Sequence, residues 1–166
     1  MAAKDVLQIG LTREAWGPRF WTLLHTMAEC SGKQTTLIQS NDEADAWSLL
    51  LRAQTFVMPC ALCKQHFIEF HKLKPLGNLR GLDGEARRIR IRTWLWECHK
   101  RVNEMNEKPT PPLEDLPTLY PKQSMQKRVE ELVGMFQLAH TKQQLKPEDT
   151  NRWKLQLARL RILYGI

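Results

Sequence analysis

Residues 55–70 read TFVMPCALCKQHFIEF. Pro59 stands directly before Cys60-Ala-Leu-Cys63, and Cys63, Phe67 and Phe70 recur at helical spacing beyond it. A proline breaks or ends the helix before it, so a new helix is expected to start near Cys60. A cysteine in that first turn meets unpaired N–H groups and the positive end of the helix dipole, which stabilise a thiolate. Three chemistries fit the pair. Both thiols can be small apolar residues of a core. They can clip zinc, since His66 extends the pattern to CxxCxxH and His71, Cys98 or His99 offers a further ligand. Or they form a disulfide that opens and closes. Three-residue spacing lets the sulfurs meet across one turn, the first open to attack and the second facing inward. A thioredoxin-like fold would place such a motif after a strand; here the preceding segment reads as helix, so another group must take the electrons.

The flanking sequence is helical throughout. Trp16, Phe20, Leu23, Leu24 and Met27 mark one face of a helix over residues 12–30. Ser40 with Glu43 has the form of a capping box opening a second helix, whose buried face is read as Ala46, Leu49, Leu50, Ala53, Phe56 and Val57. A fourth helix is expected from about Gly84 to Glu107, with Ile91, Leu95, Cys98, Val102 and Met105 as its seam. The segment KPTPPLEDLPTLYPKQ holds five of the nine prolines, which makes it a strap or linker. Two further helical patterns follow, one through Val129, Leu132, Val133 and Phe136, the other through Trp153, Leu157, Leu160 and Tyr164. No strand alternation is present. The expected fold is all-α, with four core helices in residues 1–110 and a proline-rich strap and helical C-terminal extension in residues 111–166.

Bulk properties narrow the class. At 166 residues and 42% hydrophobic content the chain can bury a core. No apolar run approaches the roughly 18 residues needed to span a bilayer, so no membrane partner is expected. The first residues, MAAKDVLQIG, lack the pattern of a signal peptide, and a soluble intracellular protein is expected. The formal charge is +7, with its densest basic run at Arg87, Arg88, Arg90 and Arg92. No nucleic-acid motif accompanies that run, which reads as a solvated helix face.

Two polar patches stand beside the apolar seams. Trp21 and His25 share a face of the first helix. His99, Val102, Asn103 and Asn106 form a ridge on the fourth, and Lys108 follows. Flat aromatic surface, imidazoles, an amide and a cation suit a large planar cofactor with a phosphate tail.

Taken in order, three motifs resemble the flavin-linked sulfhydryl oxidases of the Erv/ALR type: WGxxFWxxLH from Trp16 to His25, PCxxC from Pro59 to Cys63, and HxxVN followed by KP at His99, Val102, Asn103, Lys108 and Pro109. The resemblance covers roughly residues 14–110. It implies a four-helix bundle with a short fifth helix that holds FAD noncovalently at its mouth. Trp21 and His25 would pack on the flavin or adenine end. Gly17 and Pro18 would start that wall, His99, Val102 and Asn103 would line the adenosine side, and Lys108 would approach the phosphates. A substrate dithiol would attack Cys60, Cys63 would pass two electrons to FAD, and dioxygen would leave as hydrogen peroxide.

The chain departs from the family pattern in places. Pro18 stands where arginine is common, with Arg19 as a substitute, and Lys100 stands where asparagine is usual. No cysteine lies between Cys63 and Cys98, and no second CxxC is present to act as a shuttle. Electrons are therefore expected directly from a dithiol or CxxC-bearing partner, such as a small thioredoxin-like protein. Cys98 reads as a core thiol, and the pairing of Cys30 stays open. The lean cysteine set and the extension look most like the sulfhydryl oxidases of large DNA viruses that replicate in the cytoplasm, which implies a site in host cytoplasm or virion. The resemblance also implies a homodimer through the first two helices, an interface that residues 122–164 could cover or enlarge. A zinc-stabilised helical interaction module built on Cys60, Cys63 and His66 is the competing reading.

Overall fold

The computed structural model describes residues 12–166, so the expectation drawn from MAAKDVLQIG lies outside the described residues. Those residues form helices and no strand. The four core helices are α1 (Arg13–Cys30), α2 (Leu37–Gln54), α3 (Ala61–Leu73) and α4 (Gly84–Met105). The strap holds a one-turn helix α5 (Leu116–Leu119), and the extension supplies α6 (Gln126–Thr141) and α7 (Pro147–Tyr164). None of these helices is long and apolar enough to cross a membrane.

Two turns set the frame. Between α1 and α2 the chain turns at Gly32, whose φ is +77°, and a Cβ there would fall 2.0 Å from the carbonyl oxygen of Gly84. Only glycine lets this loop touch the start of α4 so closely. The helix α2 ends at Gln54, tightens into a 3-10 turn over Thr55–Val57, and gives way to extended backbone at Met58 before Pro59. That break turns the chain so that Cys60 caps α3.

Some expectations for α2 and α4 are corrected. The cap of α2 is Thr36, whose side chain accepts from the Gln39 N–H, so Ser40 and Glu43 lie inside the helix. The buried face is the one that α7 covers, so Trp47, Leu51 and Gln54 turn inward, while Leu49 at 42% and Phe56 at 50% are exposed. Met105 is exposed as well, at the end of the α4 seam. The basic run is no uniformly solvated face. Arg87 is only 1% exposed; its Nε donates to Glu43 Oε2 at 3.0 Å and its Nη2 to Ser40 Oγ at 2.6 Å. Arg92 holds Glu29 of α1 through two hydrogen bonds of 2.7 and 2.6 Å. Helical periodicity marks where charge falls and says nothing of which charges find buried partners.

The extension shares one hydrophobic core with the bundle. Trp153 packs edge-on against Phe20 and Phe136, and its Nε1 donates to Gln54 Oε1 at 2.7 Å. Tyr164 donates to Glu43 and accepts from Trp47 Nε1 at 2.8 Å. With Trp153 opposite Gln54 and Tyr164 opposite Trp47 and Glu43, α7 runs antiparallel along α2. The apolar faces of α6 and α7 are thus buried within the chain. Cys30 and Cys98 are both buried free thiols.

Candidate functional site

Cys60 and Cys63 are joined as a disulfide, with their Cα atoms 5.2 Å apart. Cys60 is the cap residue of α3, and its Sγ accepts from the Cys63 N–H at 3.2 Å. The first-turn amides that any helix leaves unpaired therefore face the sulfur pair. Cys63 lines an apolar cavity whose walls include Trp16, Phe20, Leu24, Met58, Phe67 and Phe70. Cys60 is not among the lining residues. Among the described residues no three His, Cys, Asp or Glu side chains converge as a metal site, so the zinc set considered from the sequence is not assembled.

A second, more polar cavity adjoins the first, and the two share Arg13, Gly17, Trp21, Val102 and Asn106 in their walls. Each encloses about 950 Å³ of empty space, part of it open to solvent. Pro18, His99, Asn103, Lys108 and Tyr120 line only the second. Of the expected site residues, Gly17, Pro18, Trp21, Cys63, His99, Val102, Asn103 and Lys108 thus come together around one continuous hollow. His25 lies behind it. Its Nε2 is 3.1 Å from His99 Nδ1, and its ring stacks on Tyr120 at 4.7 Å. Trp21 and His99 stack almost parallel, with centroids 4.2 Å apart.

The electrostatics follow from burial. Desolvation, with the neighbouring His99, pulls the pKa of His25 down to about 3. Desolvation, then the charge of Lys108, pulls His99 down to about 4. Both imidazoles are neutral near pH 7, so the stack presents a flat, uncharged surface. Asn103 shapes the turn that follows. Its Nδ2 donates to Pro109 O and Thr110 Oγ1, both at 3.3 Å, and its carbonyl accepts from the Lys108 N–H at 2.9 Å. Lys108 is held at the rim by that turn.

Several lining residues had no place in the sequence reading. Arg13 precedes Gly17 and Trp21 at four-residue steps, so helical spacing could have found it. Gln54 was hidden by the mistaken register of α2. Tyr120 comes from the proline strap, where no periodicity marks a facing side. Arg19, the substitute considered at Pro18, points away, and Lys100, which stands where asparagine is usual, does not reach the hollow either. Arg19 donates to Glu131 of α6 at 3.1 Å, and Lys100 lies 5.2 Å from the ring of Trp96; neither lines a cavity.

The residues fit a flavin dinucleotide. Gly17 is buried, yet a Cβ built on it would meet no atom within 4 Å, so this helix face borders open space shared by both cavities. Two buried donors in the wall, Trp16 Nε1 and Gln54 Nε2, lack a partner. Apolar walls beside the disulfide suit a ring system. The aromatic stack with Lys108 and Arg13 suits an adenosine end and phosphates.

Comparison with known proteins bears on the family. The model of the Erv1 / Alr family matches residues 18–121. The FAD-linked sulfhydryl oxidase ERV1 of Oryza sativa subsp. japonica is 31% identical over 106 residues, which is 64% of this chain and 49% of that protein. The chain thus spans about half the length of this curated relative. No solved structure matches. With the family model covering the disulfide, the aromatic stack and the turn at Lys108, the chain belongs to the Erv1 / Alr family.

Proposed function

We propose that the protein is an FAD-dependent thiol oxidase that forms disulfides in partner proteins. The observation that carries this reading is the Cys60–Cys63 disulfide at the start of α3 with Cys63 alone of the pair in the cavity wall. A substrate thiolate attacks Cys60 Sγ, forming a mixed disulfide, and Cys63 leaves as a thiolate. The N-terminus of α3 stabilises that charge. A second substrate thiolate then breaks the mixed disulfide. The substrate departs oxidised, and both cysteines of the chain are left reduced. FAD held in the hollow would supply a two-electron acceptor for the reduced Cys60 and Cys63 pair, with dioxygen as the final acceptor and hydrogen peroxide as the product. Trp21 and His99 would hold the adenine end and Lys108 would meet the phosphates, while His25 braces His99 and Asn103 sets the turn.

The partners in this proposal are dithiol or CxxC-bearing proteins, including a small thioredoxin-like carrier. The proposed setting is that of the viral enzymes the sequence resembles, host cytoplasm or virion. A homodimer belongs to the same proposal, although within the chain α6 already packs on α1 and α7 on α2. Light scattering tests it: a monomer mass removes the dimer.

The central test is the visible spectrum of the purified protein with dithiothreitol in air. A flavin band that bleaches and recovers as oxygen is consumed supports the oxidase. Protein that takes up no FAD on reconstitution overturns it.

A further inference from the structure

Two side chains that line the apolar cavity carry buried hydrogen-bond donors without partners, and one is held in place by the C-terminal helix. Gln54 ends α2, is 1% exposed, and lines the cavity beside Cys63. Its Oε1 accepts from Trp153 Nε1 at 2.7 Å. An indole N–H can only donate, so that contact determines which end of the amide is the carbonyl. The amide NH2 is therefore the free end, and Nε2 is buried with no acceptor. Trp16 Nε1 in the same wall is equally unpartnered. Buried polar groups are nearly always paired, and two unpaired donors on side chains that line one hollow mark a place for a ligand edge that presents acceptors. The ring nitrogens and carbonyls of a flavin form such an edge.

We infer that Gln54 contacts the flavin ring system, donating through Nε2 to one of its acceptor atoms, and that α7 positions it through Trp153, an assignment that rests on the flavin reading above. Reduction adds negative charge to the ring, and a hydrogen bond to a charged acceptor is stronger than one to a neutral acceptor. The contact therefore favours the reduced cofactor and raises its midpoint potential. Trp153 is a positioning residue in this scheme. It touches no cofactor and acts only by holding Oε1 away from the cavity.

The test is a reductive titration of FAD-loaded protein. Gln54→Met keeps an unbranched side chain of similar length and removes the donor. The ratio of affinities for reduced over oxidised flavin is expected to fall about tenfold, which for a two-electron couple is a midpoint about 30 mV lower. Trp153→Phe keeps a ring in the core and removes the N–H; its midpoint is expected to move the same way. In the double variant the shift should be no larger than in Gln54→Met alone, because Trp153 acts through Gln54. Should Gln54→Met fail to load FAD, Trp153→Phe carries the same readout with the amide still present. Loaded, active wild type whose midpoint changes less than twofold in that ratio on losing the donor overturns the contact alone. Additive shifts in the double variant overturn the positioning by α7. Wild-type protein that binds no FAD overturns the flavin reading and this contact with it.

Discussion

Cys60 and Cys63 lie one helical turn apart in unlike surroundings. Cys60 caps the helix outside the cavity, and Cys63 lines it. Their roles should separate accordingly. Cys63→Ser is expected to lower oxygen consumption with a dithiol substrate by about 1000-fold or more while FAD remains bound, because the group beside the cofactor is lost and the walls are not. Full turnover in that variant would remove the pair from the mechanism. Gly17 gives a second residue-scale expectation. Its Cβ position borders empty space, so Gly17→Leu should fill the hollow and weaken FAD binding by about 100-fold or more. Apoprotein stability should hold or rise slightly, since glycine inside a helix costs about 0.5–1 kcal/mol relative to alanine. Flavin titration and thermal melts of the apoprotein read both. An unchanged FAD affinity would place the ring system elsewhere. The cysteine pair was legible in the sequence because PCxxC carries its own helix break. Gln54 was not, since its importance depends on a hydrogen bond to a residue in another helix.

The helix α4 carries most of the side proposed for adenosine, and its ridge of His99, Asn103 and Asn106 was visible as a polar stripe beside an apolar seam. Periodicity alone could not show that His25 on α1 would lie behind His99 rather than in the cavity. That pairing has a consequence for acid stability. Unfolded histidine titrates near pH 6.5. In the folded protein His99 is held down to about 4 and His25 to about 3, both chiefly by burial. As pH falls below about 6.5 the unfolded chain takes up protons that the folded chain refuses, so stability falls with pH. The contribution is fully present above that pH and is lost on the way to about pH 4 and about pH 3, a change on the order of a few kcal/mol. Urea midpoints of the apoprotein at about pH 7 and about pH 5 should show the drop, and His99→Asn should flatten it. A midpoint independent of pH across that interval would mean that water reaches the stack. The same element-scale logic explains the misplaced start of α2. Thr36 caps it, and the more eye-catching Ser40 and Glu43 serve a different purpose one turn inside.

At the scale of the molecule that purpose is to join three helices. Glu43 of α2 accepts from Arg87 of α4 at 3.0 Å, from Tyr164 of α7 at 2.6 Å and from the Gly32 N–H at 2.9 Å. Burial and the adjacent Glu43 raise the pKa of Tyr164 well above its ordinary value, so the phenol keeps the proton it donates. The apolar stripes of α6 and α7 announced that they must bury somewhere, and they do so on the bundle. The ionic tie beneath them could not be read from charge spacing, because buried pairs join residues 44 to 121 positions apart. This tie makes the extension part of the folding unit. Arg87→Met would leave Glu43 buried with no cation, and breaking such a pair costs about 3–5 kcal/mol. Exposed arginine replacements elsewhere on α4 should stay within about 0.5 kcal/mol. Adding Glu43→Gln to Arg87→Met should recover part of the loss, since a neutral amide still accepts from Tyr164 and Gly32 without an uncompensated charge. Urea unfolding of the single and double variants checks this. A loss below about 1 kcal/mol in the single variant would show that the core tolerates Glu43 alone, and that hydrophobic contacts suffice to seat α7 on α2.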